Sequence, residues 1–259
     1  NSNLKVRDNM KILEYEDSKK NKIILIHGFQ MHIDSLKVYI DTLKKDYCVI
    51  VPVLPGHNPD IKEEFESFER CLDEFEEYYI NKFGNEAYAI ISFSMGGVFA
   101  SYIWKNAKIK INKIIMESSP LLKWNDLMIN IMTKQYLSLT RATRERNPKI
   151  ITQATNSIVL EENLDSFLKM LDNMSDETII NYLKEVGKFN LPNNIDSSNT
   201  DIYYDYGGKI NEIIFKKVGK YISKYYDNAY IHCIEGKGHC EDAIFQPEKK
   251  VKELIKKLN

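Results

Sequence analysis

An α/β fold on a mostly parallel sheet is predicted by two observations. Short apolar runs alternate along the chain with helix-length amphipathic stretches, and several runs are apolar without a break, as strands covered on both faces are. Lys22-Ile23-Ile24-Leu25-Ile26, ending at His27-Gly28, reads as a buried parallel strand. Residues 47–53, 87–91 and 113–116 repeat the pattern, and 202–206 and 229–234 complete the parallel set. Residues 11–15 are a candidate antiparallel strand near the start. Helical spacing falls between these runs at 34–45, 65–82, 97–106, 212–224 and 247–258, the last amphipathic and lysine-rich as a surface helix is.

The alternation stops between Pro120 and Leu191, where helical stretches at 127–139 and 176–188 occur with no convincing strand. Segment 121–191 is therefore expected to be a helical cap inserted into a core made of 1–120 and 192–259. An insertion that follows a strand lies beside the C-terminal sheet edge, where open α/β folds bind ligands. Residues 193–199 form a polar loop that returns the chain to the sheet.

With 43% hydrophobic residues, the 259-residue chain can bury one large core, and nothing suggests a second independent domain. A net charge of −1, with lysines and glutamates interspersed, argues against nucleic acid or an anionic membrane as partner, because both demand a concentrated basic field. Cys48, Cys71, Cys233 and Cys240 lack metal-knuckle spacing and read as free thiols in a reducing compartment. No N-terminal apolar segment resembles a signal peptide, and no apolar run approaches the ~20 residues needed to cross a bilayer. A cytoplasmic protein with a small-molecule substrate is expected. The five histidines show no metal spacing, so neither a metal nor another cofactor is expected.

Ser92-Phe93-Ser94-Met95-Gly96-Gly97 directly follows the run at 87–91 and puts Ser94 on a tight strand-to-helix turn. Such a turn lifts a hydroxyl above the sheet edge, and the new helix aims unpaired N–H groups and its positive end at any oxyanion that develops there. Ser92 stands where G-x-S-x-G has glycine, a site that tolerates a side chain this small. Three further motifs each follow a predicted strand: His27-Gly28-Phe29, Leu54-Pro55-Gly56-His57 and Gly236-Lys237-Gly238-His239.

Taken in order, these four stations resemble the α/β-hydrolase superfamily over nearly the whole chain. The resemblance implies the α/β-hydrolase fold, with a mostly parallel central sheet flanked by helices and an inserted helical cap. It implies Ser94 as nucleophile and His239 as base, with backbone N–H groups of Phe29 and Met95 as oxyanion donors. His27 and Gly28 would shape the loop, and His57 would be a turn histidine bonded to backbone.

The family's acid normally follows the penultimate parallel strand in a G-x-x-D pattern, and this chain has Tyr206-Gly207-Gly208-Lys209-Ile210-Asn211-Glu212 there. No aspartate fills the slot. Glu212, in the correct loop, is the favoured acid. Asp205 and Glu117 at strand ends are alternatives, and Asn211 could orient a neutral imidazole.

The expected activity is a serine hydrolase, a carboxylesterase or thioesterase, that cleaves an ester or thioester of a small, partly apolar acyl group through a Ser94 acyl-enzyme. Two other readings remain. One is a lyase or C–C bond-cleaving enzyme resembling the menaquinone-pathway synthase, with which Glu117-Ser118-Ser119-Pro120 is compatible; the other is a binding protein that kept the fold. Within the cap, Leu127, Met128, Ile131, Met132, Tyr136 and Leu139 recur at helical spacing as core packing or as an acyl-pocket wall. Arg141, Arg144 and Arg146 form a charged run that reads as a solvated face, or less readily as an anion site. Cys240, beside His239, reads as a buried thiol.

Overall fold

The computed structural model describes residues 10–16 and 18–259, so residues 1–9 and 17 of the expected core lie outside the described residues. Seven strands are present: β1 (Lys11–Tyr15), β2 (Lys22–Ile26), β3 (Cys48–Val53), β4 (Glu86–Phe93), β5 (Lys110–Glu117), β6 (Asp201–Gly207) and β7 (Ala229–Ile234). They form one sheet in the order β1-β3-β2-β4-β5-β6-β7. Only β1 runs antiparallel, against β3.

Alternation within each strand decides which layer a side chain joins. Ile24, Ile26, Ile50, Ile90 and Ile114 pack on one face with α2 (Phe68–Phe83), α3 (Gly96–Asn106) and α8 (Ile213–Tyr225). Their neighbours Ile23, Leu25, Val49, Val51 and Ile91 pack on the other with α1 (Lys37–Leu43) and α10 (Pro247–Leu258). Both faces are covered, which is why these strands read as continuous apolar runs.

Helix boundaries depart from the periodicity where side chains cap them. The helix expected from residue 65 begins at Phe68 because the Ser67 hydroxyl accepts the Arg70 N–H at 3.2 Å, while Phe65 stacks on Tyr182 at 3.5 Å between ring centroids. The helix expected from residue 34 opens as a 3-10 turn, Ile33–Leu36, before α1 starts.

Four helices lie between β5 and β6: α4 (Asp126–Arg144), α5 (Pro148–Ser157), α6 (Leu164–Asn173) and α7 (Asp176–Lys188). The apolar periodicity predicts only α4 and α7. A local start signal for α5 is nevertheless present, since Asn147 accepts the Lys149 N–H at 3.1 Å and Pro148 takes the first helical position. Along α4 the predicted apolar stripe divides. Met128, Met132, Tyr136 and Leu139 turn inward, whereas Leu127 and Ile131 are 68% and 51% exposed. The arginines after it do not form a free basic patch: Arg141 and Arg144 pair with Asp176 at 2.6 and 2.7 Å, and Arg146 pairs with Asp172 at 2.6 Å.

The C-terminal helix α10 is not lysine-faced on its solvent side alone. Register places Glu117 of β5 beside Asp205 of β6, two buried carboxylates on adjacent parallel strands. Lys250, 1% exposed, enters between them, 2.6 Å from Glu117 and 3.1 Å from Asp205, and Lys257 pairs with Asp205 as well. Burial alone would lower the Lys250 pKa, but Glu117 and Asp205 outweigh it and leave it raised. Burial raises the Glu117 carboxyl against the pull of Lys250, whereas at Asp205 Lys250 and Lys257 overcome burial and lower it.

Removing one member of such a cluster leaves a buried charge without compensation. Lys250→Met is expected to reduce unfolding free energy by about 3–5 kcal/mol, measured by equilibrium urea denaturation.

Candidate active site

Ser94 sits between β4 and α3 with φ +50°, a left-handed conformation that side chains other than glycine rarely adopt. The turn is held by its neighbours. Ser94 N–H donates to the Glu117 carbonyl at 2.8 Å, and the Ser94 carbonyl accepts the Gly97 N–H at 3.0 Å. Gly96 is required by close approach, because a Cβ there would lie 2.5 Å from the His27 carbonyl oxygen. Ser92, at the motif's first glycine position, is buried, and its hydroxyl donates to the Ile115 carbonyl at 3.4 Å.

The loop after β2 packs against this turn. A Cβ on Gly28 would stand 3.3 Å from the Phe93 carbonyl oxygen and 3.4 Å from Ser94 Cβ, so the bare backbone brings the following residue, Phe29, up to the serine. Neither the Phe29 nor the Met95 N–H donates to a protein acceptor among the described residues. Two histidines fasten the loop from behind. Leu54 N–H donates to His27 Nε2 at 3.0 Å, which puts the His27 proton on Nδ1, 2.8 Å from the Gly28 carbonyl oxygen. Gln30 N–H donates to His57 Nε2 at 2.9 Å, and His57 Nδ1 lies 3.2 Å from the Leu54 carbonyl oxygen. Both imidazoles are thus neutral struts, as the sequence suggests. Burial pushes the His27 pKa down to about 4 and the His57 pKa well below its ordinary value.

His239 comes from the loop after β7, with Nε2 2.7 Å from Ser94 Oγ and its ring against Phe215, centroids 4.9 Å apart. That loop is bonded to the one after β6: Gly208 N–H donates to the Ile234 carbonyl at 2.9 Å and Lys209 N–H to the Lys237 carbonyl at 3.0 Å. The pairing carries the short 3-10 turn Ile210–Glu212 back toward the imidazole. Glu212, 2% exposed, places Oε1 3.6 Å from His239 Nδ1, beyond hydrogen-bond length and within ion-pair range. Ser118 Oγ donates to its other oxygen at 3.0 Å and fixes which oxygen faces the histidine.

The remaining acid candidates are placed elsewhere. Asp205 and Glu117 are held by Lys250, and Asn211 is exposed beside Ile210. Sequence reasoning marks Ser118 only as part of Glu117-Ser118-Ser119-Pro120 and gives it no role toward the acid; its φ of +46° shows that the chain bends sharply there. Cys240 is buried, its thiol raised well above the ordinary value by burial. His32 is buried, and His232 is exposed 3.8 Å from Asp205. Among the described residues no cluster of histidine, cysteine and carboxylate side chains could hold a metal ion.

A serine hydroxyl bonded to an imidazole, an acid behind it and two free amides beside it can deprotonate the serine and stabilise negative charge on an attacked carbonyl. The sequence model of the α/β hydrolase fold matches residues 21–155, just over half the chain, and the protein belongs to that family. Among solved structures it is similar to an α/β hydrolase family protein from Desulfitobacterium hafniense, with 20% identity and TM-score 0.76 over 96% of this chain and 100% of that one. It is also similar to a structure from a study of carboxylesterases of Nitrososphaera gargenis, with 15% identity and TM-score 0.72 over 96% and 93% of the two chains. MenH from S. aureus matches at 17% identity and TM-score 0.68 over 97% and 99%. No curated protein matches the sequence.

The two neutral histidines make stability pH-dependent. The unfolded chain binds their protons near pH 6.5 while the folded chain refuses them, so their contribution is complete above that pH and is lost as pH falls below it, for His27 toward about 4. At pH 5 the unfolding free energy in urea should lie about 2 kcal/mol below its pH 7 value through His27 alone.

Proposed function

We propose that this α/β hydrolase is a serine hydrolase that cleaves an ester or thioester of a small, partly apolar acyl group. The observation that carries the reading is the 2.7 Å contact between His239 Nε2 and Ser94 Oγ, with Glu212 buried behind the same imidazole. Ser94 Oγ attacks the carbonyl carbon as His239 Nε2 takes its proton. The resulting oxyanion receives the N–H groups of Phe29 and Met95, and the imidazolium returns the proton to the leaving oxygen or sulfur. Water then repeats the sequence on the acyl-enzyme. Glu212 stabilises the imidazolium in both halves, and glutamate's extra methylene helps it serve from one or two residues beyond the usual slot, which falls on Ile210 or Asn211.

Helices α4 to α7 act as the cap, since Met132 and Tyr136 stand over Ser94 and line the cavities beside it. The missing aspartate was the strongest feature in favour of a non-catalytic role, and Glu212 supplies an acid in its place. A cytoplasmic location is part of the proposal, supported by four cysteines that no disulfide joins; among the described residues no helix is long and apolar enough to cross a membrane.

A fluorophosphonate probe should label the parent protein and leave Ser94→Ala unlabelled; an unlabelled parent at neutral pH would remove the proposal. Glu212→Gln should lower kcat on a p-nitrophenyl ester by at least about tenfold with little change in KM, and an unchanged kcat would dismiss Glu212 as the acid.

A further inference from the structure

Two cavities meet at Ser94 and His239, and Phe29, Met132 and Tyr136 line both. The smaller, about 90 Å³, is walled by Pro120, Trp124, Met128, Leu183, Val186 and Phe215, none of them exposed. Two phenols reach it: Tyr182, which already donates to the Pro55 carbonyl at 2.8 Å, and Tyr136, which it shares with the larger cavity. The larger, about 240 Å³, runs beneath α4 and α5 and reaches solvent at Gln135, Gln153 and Ser157, which are exposed.

The larger cavity has a mixed lining, in which uncharged polar side chains stand among a majority of apolar ones. No lysine, arginine, aspartate or glutamate lines it. Thr143 and Ser157 spend their hydroxyl protons on the Leu139 and Gln153 carbonyls of their own helices. Deep in the cavity, Gln30 Nε2 donates to Thr140 Oγ1 at 2.8 Å. That bond leaves the Gln30 carbonyl oxygen as an acceptor and the Thr140 hydroxyl proton as a donor, a pair that matches another hydroxyl. The nearby arginines of α4 are neutralised by Asp176 and Asp172, so an anionic ligand would find no free cation in the lining.

Resting on the serine-hydrolase reading, we infer that the substrate is an ester of a short apolar acyl chain with a neutral, hydroxyl-bearing alcohol. The acyl chain occupies the smaller cavity and the alcohol the larger. The order follows from the reaction: the alcohol departs while the acyl group stays bonded to Ser94 Oγ, and water must then enter, so the cavity open to solvent serves the leaving group. Acylation forms the Ser94 Oγ–acyl bond and breaks the bond from acyl carbon to alcohol oxygen, which leaves protonated by His239. Hydrolysis restores Ser94 and releases the carboxylic acid.

Butyrate esters of three alcohols matched in length test the alcohol side: 2,3-dihydroxypropyl, 2-methylbutyl and 2-carboxyethyl. In the parent, kcat/KM should be at least about fivefold higher for the diol than for the branched alkyl ester, and at least about tenfold lower for the carboxylate than for the diol. Thr140→Val should bring the diol-to-alkyl ratio in kcat/KM close to unity with Ser94 still labelled by fluorophosphonate, which separates lost recognition from misfolding. On the acyl side, dihydroxypropyl esters from acetate to decanoate should fall in kcat/KM by at least about tenfold between butyrate and decanoate, and Val186→Ala should extend the accepted chain without altering alcohol preference.

With Ser94 labelled by fluorophosphonate, a parent that cleaves the diol ester no faster than its alkyl analogue overturns the assignment of the larger cavity. A Val186→Ala variant that changes alcohol preference instead of chain length overturns the assignment of the smaller one. A parent with no labelling and no ester hydrolysis overturns the serine-hydrolase reading, and this inference with it.

Discussion

The N–H of Ser94 donates to the carbonyl of Glu117, and the other contacts of the site are arranged around that bond. It ties the left-handed turn after β4 to the end of the neighbouring strand, so that the serine cannot relax into ordinary backbone geometry. The three residues at that strand end then serve three different structures. Glu117 receives Lys250 with its carboxylate, Ser118 donates to Glu212, and the Ser119 carbonyl accepts the Tyr204 hydroxyl at 2.9 Å. A typical hydrogen bond is worth only about 1 kcal/mol net, but these are buried, and leaving a buried partner unmatched costs about 1–3 kcal/mol. The geometry is therefore over-determined rather than supported by any single strong contact.

Charge is distributed unevenly about the serine. Behind it, Glu117, Asp205, Lys250 and Lys257 form a buried ionic cluster that joins β5 and β6 to the last helix. Beside it, His27 and His57 are kept neutral by burial and act only through hydrogen bonds. In front, no lysine, arginine, aspartate or glutamate lines either cavity. Glu212 lies at the boundary of these regions. Its carboxylate faces His239 on one side and a serine hydroxyl on the other, which is why it can answer an imidazolium without being claimed by a lysine as Asp205 and Glu117 are.

The arrangement also accounts for the departures from the family motif. Serine replaces the first glycine of the elbow without strain because its hydroxyl finds the Ile115 carbonyl. Where the motif has an aspartate, the same loop brings Glu212 to face His239 from further along, because backbone bonds between the loops after β6 and β7 carry its 3-10 turn toward the imidazole. Each departure is a local change in reach or size, met by a neighbour at the same sheet edge.

Local pattern alone determined all seven strands, the outer helices of the core, and the positions of Ser94, His27 and His239, because these depend on alternation, on turn chemistry and on small residues at close approaches. The helices α5 and α6 were not legible in that way: α5 carries few apolar residues, and α6, although Leu164, Phe167, Leu168, Met170 and Leu171 give it an apolar stripe, spans only ten residues between polar turns. Lys250 and the arginines of α4 read as solvated charges, and only the fold showed that distant carboxylates neutralise them. The acid was likewise undecided among Glu212, Asp205, Glu117 and Asn211. Tertiary structure alone distinguished them, because which carboxylate faces an imidazole depends on the pairing of two loops and on competition from buried lysines, and neither is written in the spacing of residues along one segment.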